Sequence, residues 1–128
     1  MQTEKHKRIA LFFIITAIIL GALGAHSLKE ILTENALHSL ETGIRYQLFH
    51  GLAILVLTLN TEKFTCNLKH SLNIMIVGIC LFSFSIYLLS SQEITGIPMP
   101  FLGPITPIGG ILLIVSWFIL LFSVKKIN

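Results

Sequence analysis

The sequence predicts an all-α fold: an integral membrane four-helix bundle with a short interfacial helix between the first two spans. Three observations carry that expectation. Of 128 residues, 54% are hydrophobic and only 12% are charged, whereas soluble domains carry about 25% charge. The apolar residues gather in runs without a polar face, at 9–25, 51–59, 72–89 and 108–124. At about 1.5 Å per residue, the three longer runs approach the hydrocarbon thickness of about 30 Å. The run at 51–59 spans only if its helix begins upstream, around residues 36–43, and so carries Arg45, Tyr46, Gln47 and His50 to membrane depth. The whole chain, 1–128, then forms one transmembrane domain with spans at about 9–25, 40–59, 72–89 and 108–124.

The first span opens on Lys5, Lys7 and Arg8 and is apolar from Ile9. A basic stretch, an apolar stretch and small residues to Ala25 also fit a cleavable signal peptide. The small residues have a second explanation: Ala17, Gly21 and Ala25 recur every four residues, with Gly24 and Ala10 on the same side. Such a stripe lets helix backbones approach closely where lipid gives helices no hydrophobic reason to associate, and an uncleaved span is expected. Ser27 and Glu30 have capping-box spacing, so a short amphipathic helix is expected from Leu28, with Leu28, Ile31 and Leu32 toward the interface. Thr33 or Asn35 then caps the second span. Residues 91–106 hold Pro98, Pro100 and Pro104 and read as a turn-rich loop. Thr106 and Pro107 suit the N-cap and first position of the fourth helix.

Charge placement orients the chain. Lys5, Lys7, Arg8, Lys63, Lys69, Lys125 and Lys126 fall on one side, and Lys29 and Arg45 on or near the other. The positive-inside rule therefore places both termini on the cytoplasmic side of the cell membrane. Cys66 and Cys80 then lie in reducing or lipid surroundings, and no disulfide, metal site or cofactor is expected. Phosphate-loop, metalloprotease and nucleophile-elbow motifs are absent from the sequence, as is a basic-aromatic patch. Neither an enzyme nor a nucleic-acid partner is expected; the bilayer is, together with a homo-oligomer or a membrane-protein partner.

Four stretches carry a family likeness: Gly21-Ala22-Leu23-Gly24-Ala25-His26, Tyr46-Gln47-Leu48-Phe49-His50, Phe82-Ser83 with Tyr87, and Gly103-Pro104-Ile105-Thr106-Pro107-Ile108-Gly109-Gly110 with Trp117. In this order and combination, over about residues 8–124, the chain resembles the YgdD/YwdK-like family of small bacterial membrane proteins. The resemblance implies a four-helix, multi-pass protein of the cell membrane. It implies no activity.

Three constellations could carry function. On a straight second helix, Glu41, Arg45, Tyr46 and His50 share a face with Thr42 and His38. Glu41 and Arg45 are spaced for an ion pair, and Tyr46 and His50 for a hydroxyl–imidazole bond. This is a candidate intramembrane site for protons or an anionic group. Its competing reading is an anchoring ion pair at the headgroups and a structural histidine. The second constellation is the packing stripe of Ala17, Gly21, Gly24 and Ala25. The third is the turn of Thr106, Pro107, Gly109 and Gly110, whose free amides suit an anion or, equally, a cap and a crowded helix crossing. Cys80, Ser83, Tyr87 and Ser90 form a weaker polar stripe on the third span, and Gly109, Ser116 and Ser123 on the fourth. The expected function is a structural or accessory membrane subunit. The alternative is an oligomeric transporter or channel for protons or small anions that uses the second-helix face.

Overall fold

The computed structural model describes residues 2–126, leaving Met1, Ile127 and Asn128 of the expected domain outside the described residues. Four helices are long and apolar enough to cross a membrane. Helix α1 spans Gln2–Ala25, α2 spans Glu34–Leu59, α3 runs through Asn67–Thr95, and α4 spans Ile105–Leu121. Each forms because an uninterrupted apolar stretch in lipid can satisfy its backbone only internally. All exceed the minimal apolar runs, except that α4 closes three residues earlier than residue 124. Between α1 and α2 there is a single 3-10 turn, Leu28–Glu30, in place of the expected interfacial helix. Ser27 makes no capping bond there, because its own backbone is helical, with φ −68° and ψ −41°, and not in the extended conformation that aims an N-cap side chain at the first amides. Leu32 is buried in this turn while Ile31 stays exposed.

Thr33 is the cap of α2, its hydroxyl accepting from the Ala36 amide at 3.3 Å. Helix α3 continues through the expected start of the third loop and stops at Gly96. There φ is 69°, a left-handed conformation that suits glycine. The loop is thus short and contains the 3-10 turn Pro100–Leu102. Pro104, rather than Thr106, occupies the N-cap of α4. Pro107 then lies within the first turn, where a missing amide costs nothing.

Midway along α3, Cys80–Phe84 forms a π-helical segment, inserting extra backbone into the turn. It lies where α4 comes closest. A Cβ on Gly109 would strike the Phe82 backbone nitrogen and lie 2.8 Å from the Leu81 carbonyl carbon. One on Gly78 would meet Leu113 at 2.9 Å.

The bundle is two hairpins, α1 on α2 and α3 on α4, joined where α2 packs along α3. Ala10, Phe13, Ile54, Leu72, Met75, Ile79 and Leu113 fill the shared core. Large apolar side chains such as Phe12, Ile18, Phe49, Ile111 and Phe118 cover the outside, as lipid requires. Beyond α4, Val124 pairs with Phe64 in an antiparallel bridge. The bridge is held by Thr65 N–H to Ser123 O at 2.8 Å and Lys125 N–H to Lys63 O at 3.0 Å. It fastens the α2–α3 connection to the end of the fourth span. Cys66 and Cys80 are both free thiols.

Candidate functional site

Gln47 lies at the midpoint of α2 and is fully buried. Its amide nitrogen donates to the Phe13 carbonyl at 2.8 Å and to Thr16 Oγ1 at 2.6 Å, both on α1. Its amide oxygen accepts from the Tyr87 hydroxyl on α3 at 2.7 Å. A carbonyl can only accept, so Phe13 fixes which end of the amide faces α1. Thr16 in turn donates to the Phe12 carbonyl at 2.8 Å. One side chain thereby links three helices.

Two glycines make room for this arrangement. Tyr87 reaches Gln47 across Gly43, where a Cβ would meet the tyrosine ring at 2.9 Å. Helix α1 reaches Gln47 across Gly51, where a Cβ would lie 3.2 Å from Ile14, 3.3 Å from Phe13 and 3.4 Å from the Ala10 carbonyl oxygen. Ser83 donates to the Gly43 carbonyl at 2.8 Å, and Ser71 donates to the Ser116 carbonyl at 2.7 Å. Ser85 and Thr106 share a hydroxyl–hydroxyl bond of 2.6 Å. At the end of the bundle opposite the termini, Glu93 on α3 accepts from the Thr33 amide at 2.8 Å and from its hydroxyl at 2.7 Å. A carboxylate thus sits at the start of α2, where the helix dipole favours negative charge. Among the described residues, every buried side-chain nitrogen and oxygen has a hydrogen-bond partner.

The expected face of α2 is divided. Glu41 and Arg45 are both exposed, and the one ion pair among the described residues is Glu4–Lys7 at 2.9 Å. The expected Glu41–Arg45 pair is therefore not made. At this height both side chains can reach polar surroundings separately, which removes the incentive to pair. Tyr46 and His50 do come together, but by stacking, with ring centroids 5.9 Å apart and planes 18° from parallel. Instead of the Tyr46 hydroxyl, His50 Nδ1 meets the Tyr46 backbone carbonyl at 2.8 Å. Trp117 on α4 donates its indole N–H to His50 Nε2 at 3.0 Å. The carbonyl accepts and the indole donates, so the two partners select a single tautomer, with the proton on Nδ1. A second proton, on Nε2, would point at the indole N–H and break that bond. Within this geometry His50 joins the two hairpins.

The small residues of α1 also divide. Ala17 and Gly24 are buried, Gly21 is half-buried, and Ala25 is exposed and so lies off the packing face. A Cβ on Gly21 would stand 3.8 Å from Ile44, an ordinary contact. The tight crossing of α1 on α2 is made instead at Gly51, with Ala10 opposite. In the Thr106–Gly110 turn, Gly109 is occupied by the α3 backbone and Thr106 by Ser85, while Gly110 faces the Phe82 ring and Pro107 is exposed. Thr106 and Gly109 of this turn are thus engaged at the α3–α4 crossing.

In the sequence, Gln47 is masked by the charged residues beside it on α2, Glu41 and Arg45. The available signal was its bracketing by Gly43 and Gly51, four residues on either side: a small–polar–small row on one helix face.

Four apolar helices closed around polar contacts that they satisfy among themselves define a small multi-pass membrane protein. Comparison with known proteins makes the assignment specific. The chain belongs to the family described as a protein of unknown function (DUF423), which matches residues 20–110. It is similar to the UPF0382 membrane protein YwdK of Bacillus subtilis, 33% identical over 114 residues that cover 88% of this chain and 89% of that one. A UPF0382 membrane protein of Staphylococcus epidermidis is 34% identical over 110 residues, 86% of each chain. One from Haemophilus influenzae is 36% identical over 109 residues, 85% of this chain and 84% of its own. No solved structure matches the chain.

Proposed function

We propose that the chain acts by association, as a structural or accessory subunit of the cell membrane with both termini cytoplasmic. The observation that carries this reading is the complete internal use of the buried polar groups. Gln47, Ser71, Ser83, Tyr87 and His50 all bind neighbouring helices, which supports a rigid scaffold and, among the described residues, leaves no buried side-chain donor or acceptor open for an ion. What remains to act with is the outer surface, including the apolar face of α4 around Ile111, Phe118 and Phe122. The cytoplasmic orientation is supported by the clustering of seven lysines and arginines at the terminal end. No catalytic role and no nucleic-acid partner form part of this reading.

The test is native mass spectrometry after gentle extraction from the membrane. A distinct protein, or further copies of the chain, retained at fixed ratio is the expected result. Copies of the chain alone, without a distinct partner, combined with pH-dependent flux in proteoliposomes that His50→Ala abolishes, would replace this reading with conduction.

A further inference from the structure

At the end of the bundle that carries the termini, a cleft of about 330 Å³ opens between α1 and α3. Its mouth is cationic, with Lys5 contributed by α1 and Lys69 by α3. Both side chains are exposed. The acidic residue beside them on α1, Glu4, is engaged by Lys7 at 2.9 Å. At the base of the mouth, His6 is buried and its Nε2 meets Asn73 Oδ1 at 2.8 Å, tying the two helices together. Deeper along both helices the lining becomes apolar, through Ile9, Ile76 and Val77.

We propose that this cleft binds an anionic phospholipid, with its headgroup phosphate between Lys5 and Lys69 and one acyl chain laid along Ile9, Ile76 and Val77. The order along the membrane normal is that of the lipid itself: charge at the headgroup level, hydrocarbon beneath. Lysine suits the position because its stem lies along apolar surface while the ammonium stays at the interface. Basic pockets between transmembrane helices recognise anionic headgroups in this way. Each helix supplies one of the two cations, so the site exists only in the assembled bundle. A free phosphate ion would use the mouth alone and gain nothing from the apolar walls. The proposal does not depend on whether the protein has a partner.

The experiment is native mass spectrometry of the full-length protein in neutral detergent, offered equal amounts of phosphatidylglycerol and phosphatidylcholine. At about one fivefold factor per interfacial lysine, the wild type should retain phosphatidylglycerol about 30-fold better. Lys5→Gln with Lys69→Gln should bring the two lipids near parity, whereas Lys29→Gln with Lys126→Gln should leave the preference intact. Val77→Trp keeps both lysines but narrows the apolar part, and should reduce phosphatidylglycerol retention. Circular dichroism confirms folding of each variant, all at exposed positions. Equal retention by the wild type, or a preference that survives the Lys5 and Lys69 changes, would overturn the proposal. So would displacement of the lipid by millimolar inorganic phosphate, or undiminished retention by Val77→Trp, either of which would assign the mouth to a small anion.

Discussion

Replacing Gln47 with leucine tests whether the centre of the bundle is held by polar contacts. The two side chains are close in volume, so the change deletes chemistry and leaves little cavity. Three interhelical hydrogen bonds disappear, at about 0.6 kcal/mol each by the average measured inside membranes. The Tyr87 hydroxyl loses its acceptor in a desolvated position, which adds about 1–3 kcal/mol. Thr16 keeps its bond to the Phe12 carbonyl and adds no penalty. The expected loss is therefore about 3–5 kcal/mol, read by denaturant unfolding in mixed micelles with circular dichroism. A second substitution makes the test specific. Tyr87→Phe should destabilise the wild type, because Gln47 loses a partner, but should stabilise the Gln47→Leu protein, because no hydroxyl is left stranded. If Gln47→Leu unfolds within about 1 kcal/mol of wild type, or if Tyr87→Phe costs the same in both backgrounds, the network does not hold the helices together.

Gly109→Ala should destabilise the α3–α4 hairpin by at least about 3 kcal/mol, the upper part of the usual overpacking range, because the clash is with backbone; its thermal midpoint in detergent should fall well below that of wild type. Gly51→Ala should cost about 1–3 kcal/mol by the same unfolding measurement, whereas Gly21→Ala, with its nearest neighbour at 3.8 Å, should be neutral or slightly stabilising through higher helix propensity. Glu93→Ala should show itself locally, as faster hydrogen exchange of the amides that open α2.

The four spans were legible because hydrocarbon thickness imposes a length and excludes unpaired backbone, and both constraints act directly on composition. The requirement that α2 carry Gln47 and His50 inward was readable for the same reason. Which face of α2 turns inward was not. Projection at constant angle favoured Glu41 and Arg45 as the notable polar residues. Near a helix end, long charged side chains can reach the headgroups from any face, so charge there is a poor guide to the interior. The buried face is instead marked by Leu40, Gly43, Gln47, Gly51 and Ile54, a row defined by small residues and one amide. On α3, projection grouped Ser83, Tyr87 and Ser90, which do meet α2. The π segment within that helix had no visible signature, since it accompanies the approach of Gly109 from a distant part of the chain. The 3-10 turn at Leu28–Glu30 shows the limit of local signals: the Ser27 and Glu30 spacing is present, but Ser27 keeps helical backbone and its side chain makes no cap.

The sequence contains one tryptophan, and its indole N–H is committed to His50 on the other hairpin. The bundle is therefore its own optical gauge. Any event that slides or parts the two hairpins must release the indole from its acceptor, and the emission of this single tryptophan, excited apart from the tyrosines, will register it without label or engineered probe. The same signal can follow the second hairpin docking onto the first as the chain is assembled in a bilayer, because that bond cannot form until the fourth helix has arrived.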